Sequence, residues 1–152
     1  MASTLPLGVY QIPDTAGNRR HWGNLDQAAL SLVVADVMKT KDNFVMLVVR
    51  DSQTAESVSR ELEFFLPKSV PVMQFPDWET LIYDSFSPHQ DIVSDRLAIL
   101  NELPGKKQGV LVVPASTLMQ KLAPRSFTLG SSFVLDKGQE FDIEAMRKKL
   151  TS

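Results

Sequence analysis

The sequence predicts an α/β domain, an open and mainly parallel sheet with helices on both faces. Two observations carry that prediction. Short, valine-rich apolar runs alternate with segments whose apolar residues recur at helical spacing, the pattern of strand, crossover helix and parallel strand. The 152-residue chain also holds 43% hydrophobic and 22% charged residues, which is ordinary for a folded soluble chain and enough for one core with the start of another.

Taken in order, Leu25, Ala28, Ala29, Leu32, Val33 and Val37 form one apolar stripe and predict a first helix. KTKDN breaks it. FVMLVV (44–49) is a continuous apolar run that predicts a strand covered on both faces. Asp51 or Ser52 is placed to cap the next helix, whose stripe is Ala55, Val58, Leu62 and Phe65, and which stops before Pro67. VMQF (72–75) predicts a second strand.

A loop containing proline and aromatic residues leads to SPHQ (87–90), a helix N-terminal signature. Ser87 is placed to accept from an orphan amide, Pro88 suits the first helical position, and Gln90 reaches back to the Ser87 amide. That helix runs through Ile92, Val93, Arg96, Leu97, Leu100 and Leu103 until Pro104 and Gly105 stop it. GVLVV (109–113) predicts a third strand, ASTLMQKL (115–122) a short helix and SSFVL (131–135) a fourth strand. Asp142 is placed to cap IEAMRKKL, which is still helical where the chain stops, so the expectation is a polypeptide that continues. A boundary is expected between Pro124 and Gly130.

Composition narrows the chemistry. The net charge of −2 gives no general electrostatic reason to expect binding to nucleic acid or an anionic membrane. There is no cysteine, and His21 and His89 stand far apart with no metal-ligand spacing, so neither a disulfide framework nor a metal site is expected. No window approaches a membrane span, and the N-terminus lacks a secretory apolar region.

HWGNLDQAAL (21–30) raises the question of phosphate binding. A phosphate loop of the form G-x-x-x-x-G-K-[ST] needs a second glycine, a lysine for the β and γ phosphates and a hydroxyl for magnesium. Counted from Gly23, those places hold Ala28, Ala29 and Leu30. From the residues alone this is either a helix start that never held phosphate or the shell of a nucleotide site.

The most distinctive stretch is FPDWETLIYDSFSPHQDIVSDRLAIL, Phe75 to Leu100. With GVLVVPASTLMQKLAPRSF (109–127) and LDKGQEFDIEAMRKKL (135–150), it closely resembles the N-terminal region of the bacterial transcription-repair coupling factor (Mfd) family. The resemblance covers roughly residues 20 to 150 and is most specific in DWETLIYDSFSPHQDI (77–92). That region is in turn similar to the first domains of the excision-nuclease subunit UvrB. The resemblance implies a degenerate P-loop NTPase or helicase-like domain over residues 1–125. Residues 126–152 would then be the first strand and helix of an inserted second domain of the UvrA-recruiting type.

In UvrB a working phosphate loop falls where Gly23 to Leu30 stand here, so the resemblance makes this stretch a decayed loop on a retained scaffold. Losing the lysine and the hydroxyl at a cost of roughly a few kcal/mol each leaves negligible affinity. The expectation is a non-catalytic scaffold without cofactor or metal. It would belong to a cytoplasmic, ATP-driven double-stranded DNA translocase that displaces stalled RNA polymerase in transcription-coupled repair, with ATP and magnesium in motor domains elsewhere. UvrB also carries an aromatic hairpin after its counterpart of Tyr83 and Asp84, whereas SFSPHQ passes directly into a capped helix here, which argues against damage recognition.

Two other readings stand beside this one: an enzyme that grips nucleotide by an unorthodox loop, and a nucleic-acid-binding module. The second would stack bases on Tyr83 and Phe86 and use the basic clusters Lys106-Lys107 and Arg147-Lys148-Lys149; buried loop aromatics and a helix-dipole partner explain the same residues. His89 beside Asp91 and near Asp84 has the look of a base with an orienting carboxylate, but no nucleophile is placed by motif. Asp91, Asp95 and Arg96 read as a solvated helix face. Trp78 is either a packing anchor or an interface hot spot. Ile143, Met146 and Leu150 leave an apolar helix face without a guaranteed partner, so self-association is expected of the chain by itself.

Overall fold

The computed structural model of the chain describes residues 13, 15–40, 43–80, 87–126, 128, 138, 142–144 and 146–147. The predicted strand SSFVL and most of the expected second domain lie outside them.

Among the described residues three strands form a parallel sheet: β1 (Phe44–Val49), β2 (Val72–Gln74) and β3 (Gly109–Pro114). Their spatial order is β1-β3-β2, so the last of these three in sequence lies between the other two. Val45 pairs with Val110 and Leu47 with Val112 on one side of β3, and Val72 pairs with Val110 on the other. Every residue of β3 is buried, as a central strand between two neighbours must be.

Helices α1 (Gln27–Thr40) and α2 (Ser52–Phe65) cover one face. Val34, Ala35 and Met38 of α1 join Ala55, Val58 and Leu62 of α2 over Val49, Val110 and Val112, giving the main core. A polar bond also ties the two helices, with the buried Ser31 Oγ donating to Glu61 Oε2 at 2.6 Å. Of the two candidates, Asp51 caps α2, accepting from the Thr54 N–H at 2.8 Å and the Thr54 hydroxyl at 2.6 Å. Those bonds, the hydroxyl's foremost, hold the Asp51 carboxyl down at about 2.

Helix α3 (Gln90–Glu102) covers part of the other face, where Ile99, Leu100 and Leu103 pack against Phe75, Leu111 and Val113. A single 3₁₀ turn, Leu103–Gly105, ends it, and α4 (Ala115–Leu118) follows β3 directly. Helices therefore lie on both faces, but among the described residues the second cover is incomplete. Met46 is 55% exposed and Val48 43%, so β1 is not the doubly covered strand its apolar run predicts. A continuous apolar sequence states that a strand can be buried on both sides; whether a helix reaches it is decided elsewhere in the chain.

Three further local expectations are corrected. The α3 cap is His89, whose Nδ1 accepts weakly from the Asp91 N–H at 3.4 Å, in place of Ser87 with Gln90 in return. His89 has the extended backbone a cap needs, and Gln90 already lies inside the helix. The segment 115–122 is helical only to Leu118, since the amides of Met119 and Gln120 turn back on Ser116 and Thr117 with tighter, 3₁₀-type bonds. Arg96 is not on a solvated face: it is 2% exposed. The Asp142 cap is present, with Oδ1 accepting from the Glu144 N–H at 2.9 Å.

Candidate functional site

The candidate nucleotide loop lies just before α1. Gly23 and Asn24 are exposed, Asn24 takes a positive φ of 58°, and the Leu30 N–H closes the first helical turn on the Asp26 carbonyl at 2.9 Å. Among the described residues no strand leads into this turn, whereas a phosphate loop joins a strand to a helix. Ala28 is exposed, Ala29 half-buried, and Leu30 packs against the main core. The nearest helical hydroxyl, Ser31, is buried and turned to Glu61. These atoms offer neither a cation nor a hydroxyl to a triphosphate at the positions the frame requires.

The FPDWET stretch is organised around Arg96. Its guanidinium carbon lies 4.4 Å from the Phe75 ring centroid and 4.1 Å from that of Trp78, so the cation faces two aromatic rings. Arg96 Nη1 donates to the Pro76 carbonyl at 2.5 Å. Burial lowers the Arg96 pKa and the nearby Asp77 charge opposes that shift. For Asp77, burial pushes the carboxyl up, but hydrogen bonds from Ser116, Gln120 and the Trp78 N–H, with the Arg96 charge, outweigh it and hold the group below its usual range. Ser116 Oγ and Gln120 Nε2 each donate to Asp77 at 2.5 Å. One carboxylate thus ties the loop after β2 to the turn after β3, while one arginine fixes the same loop to α3.

Trp78 is therefore a half-buried packing partner of Arg96. Tyr83, Asp84 and Phe86 lie outside the described residues. His89 Nδ1 stands 3.3 Å from Asp91 Oδ2 with both side chains largely exposed, and its bond to the Asp91 amide accounts for its place in the fold. Ile143 is 74% exposed and Met146 half-buried; Leu150 lies outside the described residues. No cluster of three or more His, Cys, Asp or Glu side chains occurs among the described residues.

Sequence reasoning missed two features. Arg96 sits in an apolar stripe, so its spacing signalled burial, but nothing in the sequence named Phe75 and Trp78 as its partners. An open apolar groove also lies on the second face of the sheet, lined by Met46, Leu111, Val113, Thr117, Leu118 and Leu122 among others. No periodicity could have revealed it, because it forms where no helix among the described residues covers the sheet.

No family model matches the chain. It is 43% identical over 143 residues to the transcription-repair-coupling factor of Escherichia coli (strain K12), covering 94% of this chain and 12% of that protein. It is 37% identical over 139 residues to the transcription-repair-coupling factor of Haemophilus influenzae, covering 91% and 12%. With that of Rickettsia bellii it shares 36% identity over 104 residues, covering 66% and 9%. The chain thus spans about an eighth of the length of the first two of these relatives.

Proposed function

The chain belongs to the transcription-repair-coupling factor family, and on that premise we propose that it is a non-catalytic scaffold in transcription-coupled nucleotide excision repair. The full-length factor in this reading is a cytoplasmic, ATP-dependent translocase on double-stranded DNA that displaces stalled RNA polymerase. This part of it hydrolyses nothing. It supports the UvrA-recruiting second domain that opens near residue 126, and it packs against other parts of the factor to restrain them.

The observation that carries the scaffold reading is Leu30. It stands where a phosphate loop places the magnesium-binding hydroxyl, and it packs instead against the main core. With Ala29 in the lysine position, a triphosphate would meet no positive charge there. The most distinctive string, around Asp77 and Trp78, supports the same reading, because its polar atoms are taken up by Ser116, Gln120 and Arg96 in holding three segments together.

The test is a calorimetric titration of the chain with Mg-ATP to millimolar concentration, with tryptophan emission followed in parallel because Trp22 adjoins Gly23. A flat response is expected. A saturable, magnesium-dependent signal with Kd of about 100 μM or tighter would overturn the scaffold reading.

A further inference from the structure

His89 opens helix α3, and one atom of its ring faces two groups of opposite character. Nδ1 accepts from the Asp91 N–H at 3.4 Å and lies 3.3 Å from Asp91 Oδ2. A ring nitrogen accepts only while it is unprotonated and donates once it carries a proton. The two contacts are therefore exclusive: the first needs a neutral imidazole with its proton on Nε2, and the second needs a proton on Nδ1.

The surroundings tie that choice to pH. The His89 and Asp91 side chains are 73% and 86% exposed, so the acidity of the solution reaches both directly. Asp91 is the one charged group within ion-pairing distance of the ring among the described residues, where no charged side chain of the sheet or of another helix pairs with it. Histidine is the side chain that ordinarily changes charge between pH 5 and 8, whereas aspartate ordinarily stays ionised there.

We propose that His89 is a pH-operated cap of α3. At the upper end of that range the neutral ring accepts from the Asp91 amide, which at the second helical position has no carbonyl within the helix to meet. As pH falls, Nδ1 takes up a proton, the cap bond is lost, and the imidazolium donates to Asp91 Oδ2 instead. The Asp91 carboxylate has a second part in the exchange: lying in the first turn, it offsets a cation that the positive end of the helix disfavours. The change stays local. The Val93 N–H still closes the first turn on the His89 carbonyl at 3.2 Å. About two turns further on, Phe75, Trp78 and the Pro76 carbonyl anchor Arg96 and keep the rest of the helix in place.

The experiment follows the 152-residue chain by NMR from pH 8 to pH 5, with the imidazole nitrogens and the Asp91 and Arg96 amides observed separately. At pH 8 the His89 ring should give the signals of the Nε2–H tautomer. On acidification the Asp91 amide proton should move upfield in step with protonation of that ring, while the Arg96 amide stays in place. His89→Asn keeps an acceptor at the cap and removes the titrating ring, so the Asp91 amide should become insensitive to pH over this range. His21→Asn should leave the step intact, which excludes the chain's other histidine as its cause. An Nδ1–H tautomer at pH 8, an Asp91 amide that stays still or moves downfield, or a step that persists in His89→Asn would each overturn the proposal. Movement of the Arg96 amide together with that of Asp91 would overturn the local character of the device.

Discussion

The Arg96 guanidinium lies over the Trp78 ring, 4.1 Å from its centroid, and joins helix α3 to the loop after β2. A cation is tolerated at 2% exposure because Phe75 and Trp78 face it, the Pro76 carbonyl accepts from it and Asp77 lies within its field. Nη2 alone is buried without a partner, so the arrangement holds the charge without fully satisfying it.

Arg96→Ala is expected to destabilise the domain by about 2–4 kcal/mol, since it removes packing against two rings and leaves Asp77 without its cation. Arg96→Lys should recover only part of this, because an ammonium cannot lie flat on both rings and reach the Pro76 carbonyl. Urea unfolding midpoints of the three proteins check the order.

Asp77 makes the domain sensitive to acid. Its folded pKa lies below the unfolded value of about 3.9, so its contribution is fully present above that value and is lost as pH falls through the folded pKa. Unfolding measured from pH 5 downward should show a stability loss that is smaller in Asp77→Asn. An identical pH dependence in the two proteins would contradict the assignment.

At the other helix start, Asp51→Ala should lower the urea midpoint more than Asp51→Asn does, because asparagine still offers an oxygen to the Thr54 amide. Hydrogen exchange should quicken selectively in the first turn of α2.

Gly109 opens β3 with φ of 147°, and an added Cβ would meet both Pro71 Cγ and the Pro71 carbonyl oxygen at 3.0 Å. That carbonyl also accepts from the Val110 N–H at 2.9 Å. Gly109→Ala should therefore cost more than about 1 kcal/mol, through backbone strain and displacement of the β2 entry. Thermal unfolding of the variant measures it.

The legible part of the fold follows from chemistry confined to a few neighbouring residues. Valine-rich runs located β1 and β3 almost to the residue, the Ala55-Val58-Leu62 stripe located α2, and Asp51 was one of two residues placed to cap it. SPHQ misled, because Ser87 and His89 both carry an acceptor at a plausible distance before the helix, and which one caps depends on where the chain enters the first turn. At the candidate loop, the missing lysine and hydroxyl were readable letter by letter; the packing of Leu30 against the core was not.

By itself the sequence determined the α/β class, the positions of β1, β2, β3 and of α1 to α3, the absence of thiol chemistry and the relatives this chain resembles. Each depends on local periodicity, residue type or a contiguous string. Only the tertiary structure decided that β3 lies between β1 and β2, that Arg96 is stacked on Phe75 and Trp78, and that Met46 borders an apolar groove. The reason is separation along the chain: Asp77 meets Ser116 and Gln120 across 39 and 43 positions, and no local pattern encodes which distant partner a buried charge or an open strand face will meet.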